Sequence, residues 1–126
     1  MSETRLHQRV DVDLQGALAA DLDNDFTDML MANLSLGGCF IKTRMPEPPG
    51  SMVMLRFALP GEGHNTIIKA VGRVCWTKSG LDGPAGMGIQ FVRVEDQEMT
   101  ELRKYIGGLL QGDLVATERP ADEKAA

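Results

Sequence analysis

Apolar and polar residues alternate strictly over Val10-Asp11-Val12-Asp13-Leu14, the period of a half-buried strand, and the apolar character continues through Ala17-Leu18-Ala19. Asp21-Leu22-Asp23-Asn24-Asp25 then reads as an acidic turn, and the run from Phe26 to Leu34 predicts a second strand. Gly37-Gly38 breaks the chain before Cys39-Phe40-Ile41 begins a third. Met45-Pro46-Glu47-Pro48-Pro49-Gly50 must be an exposed connection, because its prolines remove backbone donors and fix φ. Met52 to Leu59 gives a fourth strand, with Val53, Leu55 and Phe57 on one face and Met52, Met54 and Arg56 on the other. After the Pro60–Asn65 turn, Thr66 to Lys78 is β-rich, and its Gly72 suggests a bulge or a barrel bend. A glycine and proline loop from Ser79 to Gly86 leads into the sixth strand, Met87 to Val92, with apolar residues at 87, 89 and 91.

From Glu95 the period becomes helical: Met99, Leu102, Ile106 and Leu109 share a face, Asp96 is the expected N-cap, and Arg103-Lys104 lie towards the end. Six short strands between turn signals imply an antiparallel sandwich or a small barrel with one helix beside it, and the expected fold is all-β dominated, a six-stranded antiparallel β-barrel with one C-terminal α-helix. Closing the barrel removes exposed strand edges. The expected organisation is a flexible arm over residues 1–9, the barrel and helix over 10–110, and a mobile tail over 111–126. No internal repeat is visible.

A length of 126 residues suits one domain with its own core, and 43% hydrophobic with 25% charged residues is ordinary for a globular protein. No apolar run approaches the roughly 18 residues of a membrane span. The opening Met-Ser-Glu-Thr-Arg is not a basic-then-apolar leader, so the expected location is cytoplasmic. Cys39 and Cys75 both lie in apolar, strand-like runs without zinc-ligand spacing; a disulfide is open geometrically, but buried reduced thiols fit a cytosolic chain better. The acidic turn lacks the glycine and terminal glutamate of a calcium loop, and so reads as a solvated hairpin. His7 and His64 form no metal-binding cluster, and the eight methionines read as packing residues.

The net charge of −5 argues against a broad footprint for DNA or an anionic membrane. A small anionic ligand needs only a local cluster, and residues 1–9 supply one, with Arg5, Arg9 and His7 against Glu3. In Arg5-Leu6-His7-Gln8-Arg9, two guanidinium forks stand four residues apart, suited to clamping phosphates or docking on the O6/N7 edge of a guanine. Asn33-Leu34-Ser35-Leu36-Gly37-Gly38 offers an amide, a hydroxyl and a glycine turn. Taken singly, the arginines read as solubilising charges and the second motif as a strand-ending turn whose glycines permit positive φ. Together they outline an anion-binding pocket. Catalysis finds little support: Ser35 has no nucleophile-elbow glycine before it, and neither cysteine has a histidine partner in sequence.

In that order, R-x-x-x-R followed by N-x-S-x-x-G resembles the signature of the PilZ domain, a bacterial receptor for the second messenger cyclic di-GMP. The resemblance spans roughly residues 5–106 and includes the Pro-Pro-Gly connection, Gly72-Arg73-Val74-Cys75-Trp76 and Gly86-Met87-Gly88-Ile89-Gln90-Phe91. It implies that Arg5 and Arg9 bind phosphates and a guanine Hoogsteen edge while Asn33 and Ser35 bond a guanine edge from the barrel. Gly38, with Gly37, would let backbone approach the base. Asn33 stands where the family accepts Asp or Asn, and Thr4 stands where many relatives carry a basic residue, which leaves monomeric and intercalated dimeric ligand both open. Trp76 alternates with Val74, so it is expected in the barrel wall as core in preference to a ligand platform. The implied function is a receptor without cofactor or chemistry. It passes the signal through its arm and helix face to an unidentified protein effector in motility, adhesion or biofilm control. The alternatives are a nucleotide-independent adaptor of the same fold and, more remotely, a small hydrolase.

Overall fold

Inward-facing apolar residues at every second position build the wall of a closed barrel in the computed structural model, which describes residues 8–20, 25–61, 63–81 and 83–111. The strands are β1 (Val10–Ala20), β2 (Thr27–Leu34), β3 (Gly38–Lys42), β4 (Met52–Leu59), β5 (Thr66–Lys78) and β6 (Gly86–Val94), followed by α1 (Asp96–Gln111). Around the ring the order is β1-β2-β3-β6-β5-β4, with every neighbouring pair antiparallel. β1 closes the ring by pairing with β2 on one side and β4 on the other. All six strands therefore match the alternation in the chain, with ends shifted by a residue or two. The acidic segment 21–24, most of the leading arm and residues 112–126 lie outside the described residues.

The core is one cluster inside the ring, centred on Leu14, Met31, Leu34, Ile41, Val53, Leu55, Phe57 and Ile68. Each such side chain contributes about 1.5–3 kcal/mol by leaving water. Phe57 stacks on Phe91 across the interior, with centroids 6.4 Å apart. The face division expected of β4 holds: Val53, Leu55 and Phe57 are buried, and Arg56 is exposed.

Two irregularities in the alternation decide which side chains reach the outside. In β2, Met31 pairs with Ile41 but Asn33 pairs with Phe40, so Ala32 is an extra residue relative to β3. Met31 and Leu34 both point inward, and Asn33 is left on the outer surface. In β5, Val74 pairs with Ile89 and Trp76 with Gly88, so Cys75 is the extra residue there. Because the strand period is two, one added residue reverses the face of everything beyond it. Trp76 accordingly lies outside the core, 43% exposed, and Cys75 is exposed as well, against the expectation that both are buried. Both cysteines are free. Two more shifts fall between Asp11 and Leu14, where β1 carries one residue more than β2, and between Val71 and Gly72, as the glycine suggested; a Cβ on Gly72 would come within 2.4 Å of the Ile89 side chain.

α1 lies against β5 and β1 and buries Leu102, Tyr105 and Ile106. The Glu98 carboxylate ties it to the sheet by accepting the Lys69 backbone N–H at 2.6 Å. The helix begins at Asp96, and the Met99 N–H bonds the Glu95 carbonyl, so the cap is Glu95, one residue before the expected Asp96. It also runs to Gln111, which leaves Arg103 and Lys104 in its middle and no basic residue in its last turn. Gly107 sits inside the helix with nothing within 4 Å of an added Cβ. Gly107→Ala is therefore expected to stabilise the protein by about 0.8 kcal/mol, the helix-propensity difference. Thermal unfolding followed by circular dichroism should show a Tm higher by roughly 3–5 °C.

Candidate functional site

One outward-facing row crosses five strands: Asp11 on β1, Asn33 on β2, Phe40 on β3, Gly88 on β6 and Trp76 on β5 are successive register partners. Arg9, just before β1, reaches this row and donates from Nη1 to Asn33 Oδ1 at 3.0 Å. It uses one of its five N–H donors in doing so, among the described residues. The last arginine of the first motif and the first residue of the second are thus in contact, 24 positions apart in the chain.

The hairpin between β2 and β3 is organised by Ser35. Its Oγ accepts the backbone N–H groups of Gly37 at 3.1 Å and Gly38 at 3.2 Å, while the Ser35 N–H donates to the Gly38 carbonyl at 2.8 Å. Ser35 is only 5% exposed, so in this state its hydroxyl serves the turn. Gly38 is explained by crowding, and neither glycine has a positive φ. A Cβ on Gly38 would fall 2.0 Å from the Ile89 carbonyl oxygen, and the Gly37 carbonyl accepts the Phe91 N–H at 2.8 Å. β6 therefore runs hard against the turn and fixes its position beside Arg9.

Further along the row, Phe40 and Trp76 stack with centroids 5.4 Å apart and planes 17° from parallel. Trp76 covers Gly88, where an added Cβ would be 2.2 Å from the indole, and Phe40 covers Gly86 at 2.4 Å. These rings form an aromatic ledge outside the barrel, next to Asn33. Sequence reasoning did not assemble it, although Gly86 and Gly88 at alternate positions of one strand leave a bare outward stripe that an aromatic side chain can cover. Beneath Arg9, burial pushes the Cys39 thiol far above its ordinary range, with the nearby guanidinium pulling slightly the other way. On the other side of the turn, a groove of about 590 Å³ opens between Leu36, Gln90, Met99 and Arg103.

Of the site residues expected from sequence, Arg9, Asn33, Ser35, Gly37 and Gly38 gather at one corner of the barrel; Arg5 lies outside the described residues, as do Thr4 and His7. A family model described as the PilZ domain matches residues 3–108. The chain belongs to the PilZ domain family. This PilZ domain resembles several solved structures. MotI (DgrA), an inhibitor of motility from Bacillus subtilis, superposes with a TM-score of 0.73 at 19% identity over 85% of this chain. The PilZ domain of YcgR from Escherichia coli, solved with c-di-GMP, gives a TM-score of 0.64 at 16% identity, covering 96% of each chain. The PilZ domain of CeSA from a cellulose-synthesizing bacterium gives 0.56 at 19% identity over 82% of this chain and 98% of that one. This PilZ chain spans about half of MotI, covering 52% of it. No curated protein sequence matches the chain. Among the described residues, no helix is long and apolar enough to cross a membrane, and no group of three or more His, Cys, Asp or Glu could hold a metal ion.

Proposed function

We propose that this PilZ domain protein is a cyclic di-GMP receptor that performs no chemistry and relays the signal to a protein partner. The observation that carries the reading is the Arg9–Asn33 hydrogen bond, which joins the two motifs beside the stacked Phe40–Trp76 pair. In this reading Arg5 and Arg9 bind phosphate oxygens and a guanine edge, and Asn33 bonds the base from the barrel wall. Ser35, Gly37 and Gly38 hold the turn that the base approaches. The leading arm, residues 1–9, folds over the nucleotide; ordering it costs about 1–2 kcal/mol per residue, which charge-assisted bonds to the phosphates offset. Arm free and arm docked are then the two states a partner distinguishes. YcgR has been solved in complex with c-di-GMP and MotI is described as an inhibitor of motility, which supports an output in motility.

Calorimetric titration with cyclic di-GMP tests the reading, and Trp76 supplies an independent signal because it is the chain's single tryptophan. Saturable heat is expected together with a saturable change in tryptophan emission as the guanine settles beside the indole. The recovered nucleotide should be intact. A folded parent protein that gives neither signal would replace this reading with that of a nucleotide-independent adaptor.

A further inference from the structure

The outer face of β4 and β5 carries a second surface that the nucleotide reading does not use. Ala19, Met54, Val71 and Arg93 form one outward row across β1, β4, β5 and β6, and Ala17, Arg56 and Lys69 form the next. Phe26, in the connection before β2, lies over this face with the Arg56 guanidinium 4.2 Å from its ring centre. The result is a cleft of about 320 Å³ with an apolar floor of Phe26, Met54 and Val71. Arg56, Lys69 and Arg93 surround that floor, and Glu95 is the single carboxylate among the lining residues. None of the three cations has an ion-pair partner among the described residues. On a chain of net charge −5, this is a cationic rim in an acidic body.

The topology limits what such a face can receive. Every strand is paired on both sides, so no edge is open for a partner to extend the sheet, and docking must proceed through side chains. Arginines held over apolar surface favour carboxylates, whose planar groups they meet with two donors at once. The two surfaces share β1, β5 and β6 but lie at different heights on them, with Ala19 far along β1 from Asp11, Val71 well before Trp76 on β5 and Arg93 well past Gly88 on β6. The nucleotide and a partner on this cleft do not compete for the same surface.

We infer that this cleft docks an acidic amphipathic helix of the partner protein, with its aliphatic side chains on Phe26, Met54 and Val71 and its carboxylates on Arg56, Lys69 and Arg93. The inference rests on the reading of the chain as a relay receptor and supplies the chemistry of the partner. The test is selection from a displayed library of random 14-residue peptides on the full chain. Enrichment of sequences with aliphatic residues at helical spacing flanked by Asp and Glu is expected. A synthesised peptide of that kind should bind at least tenfold more weakly to the Arg56→Glu, Arg93→Glu double variant, and more weakly to the milder Arg56→Gln, Arg93→Gln pair, should the reversal impair folding. Neutral or basic enrichment, no enrichment, or undiminished binding to a folded variant overturns the inference. So does binding of phosphatidylglycerol vesicles, in place of peptide, through the same arginines. Cyclic di-GMP titrated into the same variants should give the parent's heat. A chain that binds peptide but no nucleotide sinks the receptor reading alone, and the reverse result sinks only the docking site.

Discussion

Gly38→Ala is expected to lower stability by about 3 kcal/mol, the upper end of what forced overpacking costs, and to drop Tm by roughly 10–15 °C. The added Cβ would lie 2.0 Å from the Ile89 carbonyl oxygen, with the Ile89 carbonyl carbon and Gln90 Cα at 3.1 and 3.2 Å. All three are backbone atoms of β6, so no rotamer change relieves the clash. Either β3 and β6 separate, breaking the Gly38–Gln90 and Cys39–Ile89 pairings, or the turn held by Ser35 opens. Both outcomes displace the corner that Arg9 contacts. Thermal unfolding should register the loss, and any surviving folded protein should bind cyclic di-GMP poorly. An unchanged Tm would mean that the turn does not pack against β6 in solution.

Arg9→Ala is expected to weaken cyclic di-GMP binding by about 2–3 kcal/mol, roughly 30- to 150-fold, while leaving the fold intact. Arg9 is exposed and its only hydrogen bond among the described residues is to Asn33, so little of the barrel depends on it. The ligand, by contrast, loses a planar cation already held over the site. Arg9→Lys separates charge from shape, because an ammonium keeps the positive charge but cannot present two parallel donors to a phosphate or a guanine. Calorimetry should therefore give the parent the highest affinity, Arg9→Ala the lowest and Arg9→Lys a value between them, nearer to alanine. Equal affinity for all three, with unchanged circular dichroism, would remove Arg9 from the binding surface.

Much of this architecture can be read from the chain. Strict alternation in Val10–Leu14 and apolar, β-rich runs such as Met52–Leu59, separated by glycine and proline connections, are enough for six strands, and the change of period after Glu95 is enough for the helix. The corner is legible too, since Asn33, Ser35 and Gly38 are the residue types a tight, polar, crowded turn requires. What fails is parity. Val74 and Trp76 are two apart, so a regular strand buries both; the extra residue at Cys75 sends the indole outward and exposes the thiol. The shift at Gly72 is announced by its glycine, whereas the bulge at Cys75 is settled by pairing with a distant strand and nothing local marks it. The helix end, in contrast, is legible: a barrel and helix expected over 10–110 meets a helix that runs to Gln111.

The added residue at Ala32 has a consequence for how such a corner tolerates change. Point substitutions between Met31 and Leu34 alter what is displayed but leave Asn33 facing outward. Removing Ala32 itself would leave Met31 inward, Asn33 outward and Leu34 inward on a regular strand, whereas pairing all four residues without the bulge would send a polar amide into hydrocarbon and turn Leu34 to water. The same applies between Val74 and Trp76. In these two stretches the extra residue can be spared while its neighbours keep their faces, so a variant library that removes only Ala32 or only Cys75 would keep Asn33 and Trp76 on the outer wall.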